Sequence, residues 1–532
     1  MSSQLESVKS NLLTHFEALI SPILEKAANE GFSARSAEVA CWKAILPAGA
    51  ALLTNVLGLC CRTASEKVLH ERGWTLDADG EGPRARRRTD YVARLKSTFG
   101  PIAVPLFALR TPGTGSATVA PGRLLFPHYP RMRSSELLIE WECSLAADHP
   151  FRKASEALLF FSHGAADVED TTIERHAVAI GNAVPVDWLY LTPEKIREIL
   201  RDRAVRDLDT GLPIINASTD AHALKRFVDG NWNPQWKMTN GIRLWATDKN
   251  TGETLHLGGE YTWGDCVEVR NRFEWLQERG ILPADGDYGE GVVAQIALVT
   301  DGLDWIIDYV LALFPEAVTV LDPYHVLQHV AEAAKKAFPA KKHRKKVQGI
   351  VRQARKALGM RERRDRTVER AGENRNRRKR RWSGFDGSGK RLLDEVLRPL
   401  LEKATCGKAR IHRAIRYVER NLFRLDYGEL RTRGFTLGSG AMESMHRTGS
   451  QLRLKRAGCH WTAEAAQGIL NLRMLAMSGR WQEYWNQAEL PHIDTIRRAA
   501  RPGCGSHPKS EACQVCRPPN TTDLVARPHR PI

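Results

Sequence analysis

Three acidic residues that lie far apart in the chain constrain its fold more than any other feature of the sequence. Asp220 and Asp301 each follow an apolar segment typical of a buried strand. Glu443 lies near the start of a helical pattern that is preceded by glycines. They are separated by 81 and 142 residues, so only a folded sheet could bring the three carboxylates together. Carboxylates held on strand ends and on one helix provide the oxygen ligands that two Mg²⁺ or Mn²⁺ ions require. The pattern predicts metal-dependent phosphodiester chemistry on nucleic acid.

Each acid alone also has an ordinary structural explanation. Asp220 could be a turn residue, and Asp301 could cap the following helix, with Asp304 as a competing metal ligand. Glu443 could simply interact with the dipole of its own helix. The occurrence of all three acids on suitable elements favours metal ligation by Asp220, Asp301 and Glu443, which we predict to be the catalytic residues.

Asp322 and His325 form a second candidate pair. Asp322 ends a further apolar strand, and His325 follows three residues later, near the start of a helical pattern. Asp322 could be only a helix cap, and His325 only a packed side chain. Both could also orient a metal-bound water or a strand end, so we predict that they support the active site.

Hydrophobic alternation predicts a mixed α/β catalytic domain over residues 212–485. The predicted strands are 212–221, 237–247, 252–261, 294–300 and 317–321. Asp248-Lys249-Asn250 is a hairpin turn signal between the second and third strands. Three antiparallel strands followed by β-α units predict a mixed sheet covered by helices, the ribonuclease H-like arrangement. A helical, basic insertion is predicted at 338–430.

The remaining segments predict smaller modules. The predictions are a helical region at 1–75, a basic β-hairpin module at 76–127, a helical region with a possible helix-turn-helix at 128–211, and a flexible tail at 486–532. The apolar stretch 44–61 is interrupted by Pro47, Thr54 and Asn55, which favours a buried core helix over a membrane span. The absence of a secretory signal pattern predicts a cytoplasmic protein with reduced thiols.

The positive charge is concentrated in one segment. The chain carries a net charge of +17, and residues 341–381 contain 19 Lys and Arg against four acids. Such a run is usually a solvated helix face, but beside a candidate metal site it favours phosphate contact. The predicted DNA-binding residues are Lys341, Lys342, Arg344, Lys345, Lys346, Arg377, Arg378, Lys379, Arg380, Arg447, Arg453, Lys455 and Arg456. Double-stranded DNA is the predicted partner.

The C-terminal tail contains a weaker metal-binding pattern. Cys504 and His507, followed by Cys513 and Cys516, have the spacing of zinc ligands. The connecting loop is short for a zinc ribbon or finger, so the assignment of Zn²⁺ to the tail stays open.

From Asp220 onward, the chain resembles bacterial insertion-sequence transposases of the DDE class, above all the Kra-type and Lre-type groups, which are related to Mutator-like elements. The residues that carry the resemblance are Ser218-Thr219-Asp220, Thr300-Asp301-Gly302, Asp322 with His325, 438–443, 453–455 and His460-Trp461. The resemblance covers about residues 212–485. It departs from the family where Ala221 and His222, rather than glycine, follow Asp220, and where a cysteine-rich element near the N-terminal hairpin is missing.

The resemblance implies a ribonuclease H-like fold with a helical insertion, in which the three acids bind two divalent metals. It implies cleavage of insertion-element ends and transfer of the freed 3′-hydroxyl to target DNA, by a homodimer or larger assembly on DNA. A bacterial, nucleoid-associated location follows from that role. Two alternatives remain: a metal-dependent nuclease of the same fold that does not join strands, and a non-catalytic, DNA-binding regulatory protein.

Overall fold

The computed structural model describes residues 2–76, 82–88, 90–112, 117–228, 231–364, 380–383 and 387–487. Two long helices begin the chain, α1 (Ser2–Asn29) and α2 (Ala34–Glu71), as the helical periodicity of residues 1–75 predicts. Ser33 starts the second helix, because its hydroxyl accepts a hydrogen bond from the backbone N–H of Ser36.

Helix α2 is more exposed than its apolar sequence predicts. Its buried residues are only Ala44, Gly58, Cys61 and Ser65, so the prediction of a buried core helix at 44–61 is wrong. An apolar sequence indicates what a helix can bury, but few elements cover α2. They are chiefly α1 and the small β-region that follows α2 in the chain. Among the described residues, α2 is also the one helix whose length and apolar composition would suffice to cross a membrane.

A small β-region follows the two helices. Its strands are β1 (Arg86–Arg88), β2 (Val92–Ser97), β3 (Gly100–Pro105), β4 (Ala108–Arg110) and β5 (Thr118–Val119). β2 and β3 form the predicted hairpin, in which Ser97 pairs with Gly100. Alternate residues of both strands are buried, as expected of a two-stranded ribbon that packs on one face.

The next region is helical, as predicted for 128–211. It consists of α3 (Glu136–Asp148), α4 (Phe151–Phe161), α5 (Asp170–Ala183) and α6 (Pro193–Asp202). Asp170 is the first residue of α5, and α6 ends at Asp202. On α5, Ile173, His176 and Ile180 are buried, so much of this helix packs inside the protein. DNA contact by a helix-turn-helix here stays a prediction.

The central sheet has five strands, β6 (Ile214–Val228), β7 (Asn231–Thr247), β8 (Thr254–Thr262), β9 (Gln295–Thr300) and β10 (Val318–Leu321). Their order across the sheet is β10-β9-β6-β7-β8. The β6–β7 and β7–β8 pairs are antiparallel, whereas the β6–β9 and β9–β10 pairs are parallel. This is the predicted sequence of three antiparallel strands followed by parallel β-α units.

Both faces of the sheet are covered by helices. Helix α7 (Cys266–Glu278) follows β8, α8 (Asp304–Tyr309) follows β9, and α9 (Pro323–Ala337) follows β10. Along β9, Ile296 and Leu298 face one core, and Ala297 and Val299 face another. The alternation has the period of two that a strand requires, and burial on both faces explains why the strand is apolar throughout.

The insertion is less purely helical than predicted. Its helices are α10 (Arg344–Ala357), α11 (Gly389–Leu392), α12 (Arg398–Lys403), α13 (Lys408–Arg420) and α14 (Tyr427–Arg433). Between α10 and α11, β11 (Arg361–Arg364) pairs antiparallel with β12 (Arg380–Ser383). The sequence over 361–383 has no apolar stripe at helical spacing, so it offers a helix nothing to bury.

The chain then returns to the sheet. Helix α15 (Gly440–Met445) continues through a π-helical segment (His446–Gln451) into α16 (Leu452–Leu454), followed by α17 (Ala463–Met477) and α18 (Trp481–Gln487). α17 packs between α5 and the sheet. The two helices approach so closely that a Cβ added at Gly181 would lie 2.0 Å from the carbonyl oxygen of Gly468. The helical region 128–211 is therefore packed directly on the sheet domain.

Candidate active site

The two aspartates occupy corresponding positions on neighbouring parallel strands. The pairing of β6 with β9 ends at Ala217 and Leu298, and Asp220 and Asp301 each follow three residues later. β9 stops at Thr300, but β6 continues in antiparallel pairing with β7. The prediction that Asp220 ends its strand is therefore wrong. Asp220 instead stands in mid-strand, at the point where the parallel neighbour diverges.

The two carboxylates influence each other electrostatically. Burial raises the pKa of Asp301, and the negative charge of Asp220 raises it further. A hydrogen bond from the Leu303 N–H (3.2 Å) and positive charge on His325 act in the opposite direction. Such mutual repulsion requires proximity, and a cation between the two carboxylates would relieve it.

Asp220 also faces a histidine that the sequence analysis did not select. The Nε2 atom of His446 lies 3.5 Å from Oδ2 of Asp220, and His446 is 4% exposed. Burial by itself would raise the pKa of Asp220, but His446, and to a lesser extent His325, lower it below its ordinary value. The surroundings thus lower the pKa of Asp220 and raise that of Asp301.

Asp322 connects two parts of the site. This fully buried carboxylate accepts a hydrogen bond from the Tyr324 N–H (2.7 Å) and so caps α9. Its other oxygen accepts hydrogen bonds from the backbone N–H (2.9 Å) and the hydroxyl of Ser439, directly before α15. Both oxygens are therefore engaged in positioning the end of β10 and the helix of Glu443. His325, one turn into α9, is half-buried and acts on both aspartates through its charge.

Glu443 lies in the first turn of α15 and is exposed. Its helix is fixed to the sheet by Arg243 of β7, whose guanidinium donates a hydrogen bond to the carbonyl oxygen of Ala441. Burial lowers the pKa of Arg243 to about 10. Gly241, the β7 partner of Asp220, has no side chain to hold the helix away, and a Cβ there would lie 2.3 Å from the Met442 methyl group. Glu443 is thus carried by a helix that rests on the strand beside Asp220.

The insertion supports the Asp301 side of the site. Arg424 is fully buried and donates hydrogen bonds to the hydroxyl of Thr300 and to the carbonyl oxygens of Asp301 and Val320. The Tyr417 hydroxyl accepts a hydrogen bond from the Gly302 N–H (3.1 Å). A Cβ at Gly302 would lie 2.6 Å from the Tyr417 ring, so glycine after Asp301 permits this contact.

Arg243, Arg424 and His446 were not predicted as site residues from the sequence. Only His446 had a usable signal, because it follows Glu443 by three residues and so shares a helix face with it. The two arginines act through contacts with residues more than a hundred positions away, for which the sequence has no local pattern.

A divalent cation needs several oxygen or nitrogen donors that lie close together. Within the described residues, no group of three or more His, Cys, Asp and Glu side chains lies close enough together to hold a metal ion. Asp220, Asp301 and the Nε2 atom of His446 nevertheless offer donors of the right chemistry, and this Nε2 has no hydrogen-bond partner in the described part of the chain. Binding of divalent cations by Asp220, Asp301 and Glu443 therefore stays a prediction.

The predicted DNA-binding residues fall into three groups: exposed residues, one buried residue, and residues whose side chains are not described. Those exposed on the surface are Lys341, Lys342, Arg344, Lys345, Lys346, Arg447, Lys455 and Arg456. Arg453 is a correction: it is 1% exposed, lies between the rings of Phe151 and Trp461, and donates a hydrogen bond to the carbonyl oxygen of Ala146. Its flat guanidinium stacks on aromatic faces, which explains how a charged side chain can pack in the interior.

Several predicted residues cannot be placed. Arg377, Arg378 and Lys379 lie outside the described residues, and only the backbone of Arg380 is described, in β12. The candidate zinc ligands Cys504, His507, Cys513 and Cys516 and nearly all of the predicted tail also lie outside them. These assignments stay predictions.

Comparisons with known proteins add little to this geometry. No family model matches the chain, and no curated protein sequence does. Among solved structures, the chain is similar to the Drosophila P element transposase strand transfer complex, with 10% sequence identity, 65% of this chain and 93% of that chain covered, and a TM-score of 0.30. At this identity and TM-score, the similarity assigns neither a fold family nor an activity.

Proposed function

We propose that the chain is a metal-dependent phosphodiester enzyme of the ribonuclease H-like class. Within that class, we propose a DDE transposase that cleaves insertion-element ends and joins the freed 3′-hydroxyl to target DNA. The observation that carries the proposal is the convergence of Asp220 and Asp301 on adjacent strands of a sheet with the order β10-β9-β6-β7-β8. In chain order these are the first and fourth strands of the central sheet, β6 and β9, and one aspartate lies on β6 while the other directly follows β9.

The electrostatics of the pair support this proposal. Asp220 and Asp301 are half-buried, and the charge of Asp220 contributes to the raised pKa of Asp301, so a cation bound between them would favour the ionised form of both. Divalent ions at such a site would activate the attacking oxygen and stabilise the leaving oxygen during in-line displacement at phosphorus. Asp220 and Asp301 would bind these ions, and Glu443 would supply the third carboxylate from its helix.

Residues around the acids would position them. Asp322 and Arg243 fix the helix of Glu443, and Arg424 fixes the end of β9. These contacts act on the backbone near each carboxylate, so they hold the acids in place without binding substrate. The exposed lysines and arginines of 341–346, with Arg447, Lys455 and Arg456, would hold the phosphate backbone of double-stranded DNA. Joining two ends requires at least two active sites, so we propose a dimer or larger assembly on DNA.

The test is a cleavage and strand-transfer assay on DNA that carries the sequences flanking the coding region, with Mg²⁺ or Mn²⁺. Wild type is compared with Asp220→Ala, Asp301→Ala and Glu443→Ala. Glu402→Ala is the matched control, because it removes an exposed glutamate from another helix, α12. We expect metal-dependent joined products from wild type and Glu402→Ala, and a loss of at least about 100-fold in the other three variants with DNA binding retained.

Other outcomes discriminate among the alternatives. Cleavage without joined products would favour a nuclease of the same fold. DNA binding without cleavage by the wild type would favour a regulatory DNA-binding protein. Full activity in one acid variant would remove that residue from the catalytic set.

A further inference from the structure

The hairpin of β6 and β7 is much longer than the rest of the sheet. β6 has 15 residues and β7 has 17, whereas β8 has 9 and β9 has 6. The neighbouring strands β9 and β8 leave the hairpin at Ala217 and Asn240, but β6 and β7 continue to pair with each other beyond these points. Residues 221–228 and 231–239 thus extend past the sheet as a two-stranded arm that begins directly after Asp220.

The two faces of this arm have different surroundings. Successive side chains of a strand point to opposite faces. On one face His222 and Leu224 are buried, and Nε2 of His222 lies 2.8 Å from the hydroxyl oxygen of Ser450. On the other face Trp236 is 63% exposed and Met238 is 55% exposed. Large apolar side chains that lie next to each other on one exposed face are typical of an interaction site.

The charge of the arm indicates which kind of partner fits that face. Lys225 is the cross-strand partner of Trp236, and Arg226 and Lys237 are their neighbours in sequence. The whole segment contains these three basic residues and one acid, Asp229. A basic surface with an exposed aromatic ring is the combination that binds single-stranded nucleic acid, because the basic side chains contact phosphates while the ring stacks on a base.

The arm is also attached to a second basic segment. The Phe227 N–H donates a hydrogen bond to the carbonyl oxygen of Trp461 (2.8 Å), and Arg226 pairs with Trp461 in an isolated β-bridge. Lys455 and Arg456, which are exposed, precede Trp461 by six and five residues. The arm therefore connects the strand of the first candidate acid with a segment that carries two predicted DNA-binding residues.

We infer that the arm binds a single-stranded segment of DNA next to the active site, with Trp236 stacked on an unpaired base and Lys225 on the phosphate backbone. The base must be unpaired, because bases inside a duplex already stack on each other. Lys225 lies five residues beyond Asp220 on β6, or about 17 Å, which corresponds to about five stacked nucleotides. The inference rests on the proposed function for the presence of DNA at Asp220, and it adds that this DNA is locally unpaired.

The first test measures, in EDTA, how tightly the full-length protein binds a fluorescein-labelled oligothymidylate of about 20 nucleotides and the duplex formed with its complement. In Trp236→Ala, the affinity for the single strand should fall at least about tenfold, and the affinity for the duplex should change less than about twofold. Trp236→Phe keeps an aromatic ring, so its affinity for the single strand should stay within about threefold of wild type. Trp42→Ala is the matched control, because Trp42 is a tryptophan of α2 that is 41% exposed, and both affinities should stay unchanged.

The results that would overturn the inference are distinct. They are no binding of the single strand by wild type, an unchanged affinity in Trp236→Ala, or an equal loss of affinity for single strand and duplex. If Trp236→Ala keeps its affinity for the single strand but loses self-association in sedimentation, the exposed face contacts a second protein chain, which also overturns the inference.

The second test uses wild type alone, so it does not depend on the folding of a variant. Single-stranded DNA that contains 5-iodouracil is photocross-linked to the protein, and the linked peptide is identified. We expect a cross-link at Trp236, and the absence of any cross-link within residues 221–239 would overturn the inference. Since neither test needs metal ions or element ends, failure of strand transfer with single-strand binding intact would reject the transposase proposal alone.

Discussion

Replacement of Asp322 by alanine should loosen the helix of Glu443 far more than an ordinary loss of a helix cap would. Asp265 offers a matched comparison, because it caps α7 through hydrogen bonds from the Val267 N–H (3.0 Å) and the Glu268 N–H (3.2 Å). Loss of such a cap costs about 1 kcal/mol. Asp322→Ala loses a comparable cap and also leaves the buried N–H of Ser439 without an acceptor, which adds about 1–3 kcal/mol.

The excess of about 2 kcal/mol should appear locally, in hydrogen–deuterium exchange of α15. A difference of this size corresponds to about thirtyfold faster exchange of the helix amides when exchange is limited by opening. We expect this acceleration in Asp322→Ala but not in Asp265→Ala, and an unchanged affinity for Mn²⁺ in both variants. Equal exchange of α15 in the two variants would refute the argument that Asp322 fixes this helix. A loss of Mn²⁺ affinity in Asp322→Ala alone would identify Asp322 as a ligand instead.

Three further predictions concern packing, pH and DNA contact. Gly181→Ala should destabilise the protein by about 1–3 kcal/mol, because the new Cβ meets the backbone of the facing helix. Gly349→Ala should stabilise it by about 0.5–1 kcal/mol, because nothing lies within 4 Å of the new Cβ and alanine favours a helix. Thermal denaturation of both variants tests these values. The raised pKa of Asp301 means that its ionisation destabilises the metal-free fold as the pH rises through that pKa. In EDTA, Asp301→Asn should therefore have a higher Tm than wild type at about pH 7.5, and the gain should shrink as the pH falls below about 4, where Asp301 becomes protonated in both the folded and the unfolded state. Arg453→Met should lower the Tm but leave the salt dependence of DNA binding unchanged, because Arg453 is buried. Arg447→Ala should reduce the slope of log affinity for DNA against log salt concentration by about 1, because Arg447 is exposed. The reverse pattern would show that Arg453 contacts DNA.

The strands of the central sheet could be predicted from the sequence because their apolar patterns are local. The five predicted strands overlap β6 to β10, and the turn at Asp248 forms as expected, since its carboxylate accepts hydrogen bonds from the N–H groups of Asn250 and Thr251. Strand ends were predicted less well. β6 runs to Val228 because the residues after Asp220 pair with β7. A strand prediction that stops at the first acidic residue cannot include this pairing, since β7 comes later in the chain.

Charged residues show a different limit of sequence analysis. A basic cluster after Glu443 predicted phosphate contact by Arg453, but exposure depends on what packs around each side chain. Arg453 lies between Phe151 and Trp461, and burial lowers its pKa to about 10. Its neighbours Lys455 and Arg456 are exposed. Three basic residues within four positions thus divide between interior and surface, and only the tertiary contacts decide which is which.

The insertion illustrates why the surroundings of the acids could not be derived from sequence. Its charge predicts a DNA-binding element, and its first helix, α10, is indeed basic and largely exposed. Its last part does something else: Tyr417 and Arg424 bind the backbone just after β9, and the Tyr427 hydroxyl donates a hydrogen bond to Leu321 at the end of β10. Parallel strands end with carbonyl groups that have no further sheet partner, and buried groups of this kind need donors. The insertion supplies those donors at the ends of the two strands that lead into Asp301 and Asp322, so its inner part belongs to the structure of the site even if its outer part contacts DNA.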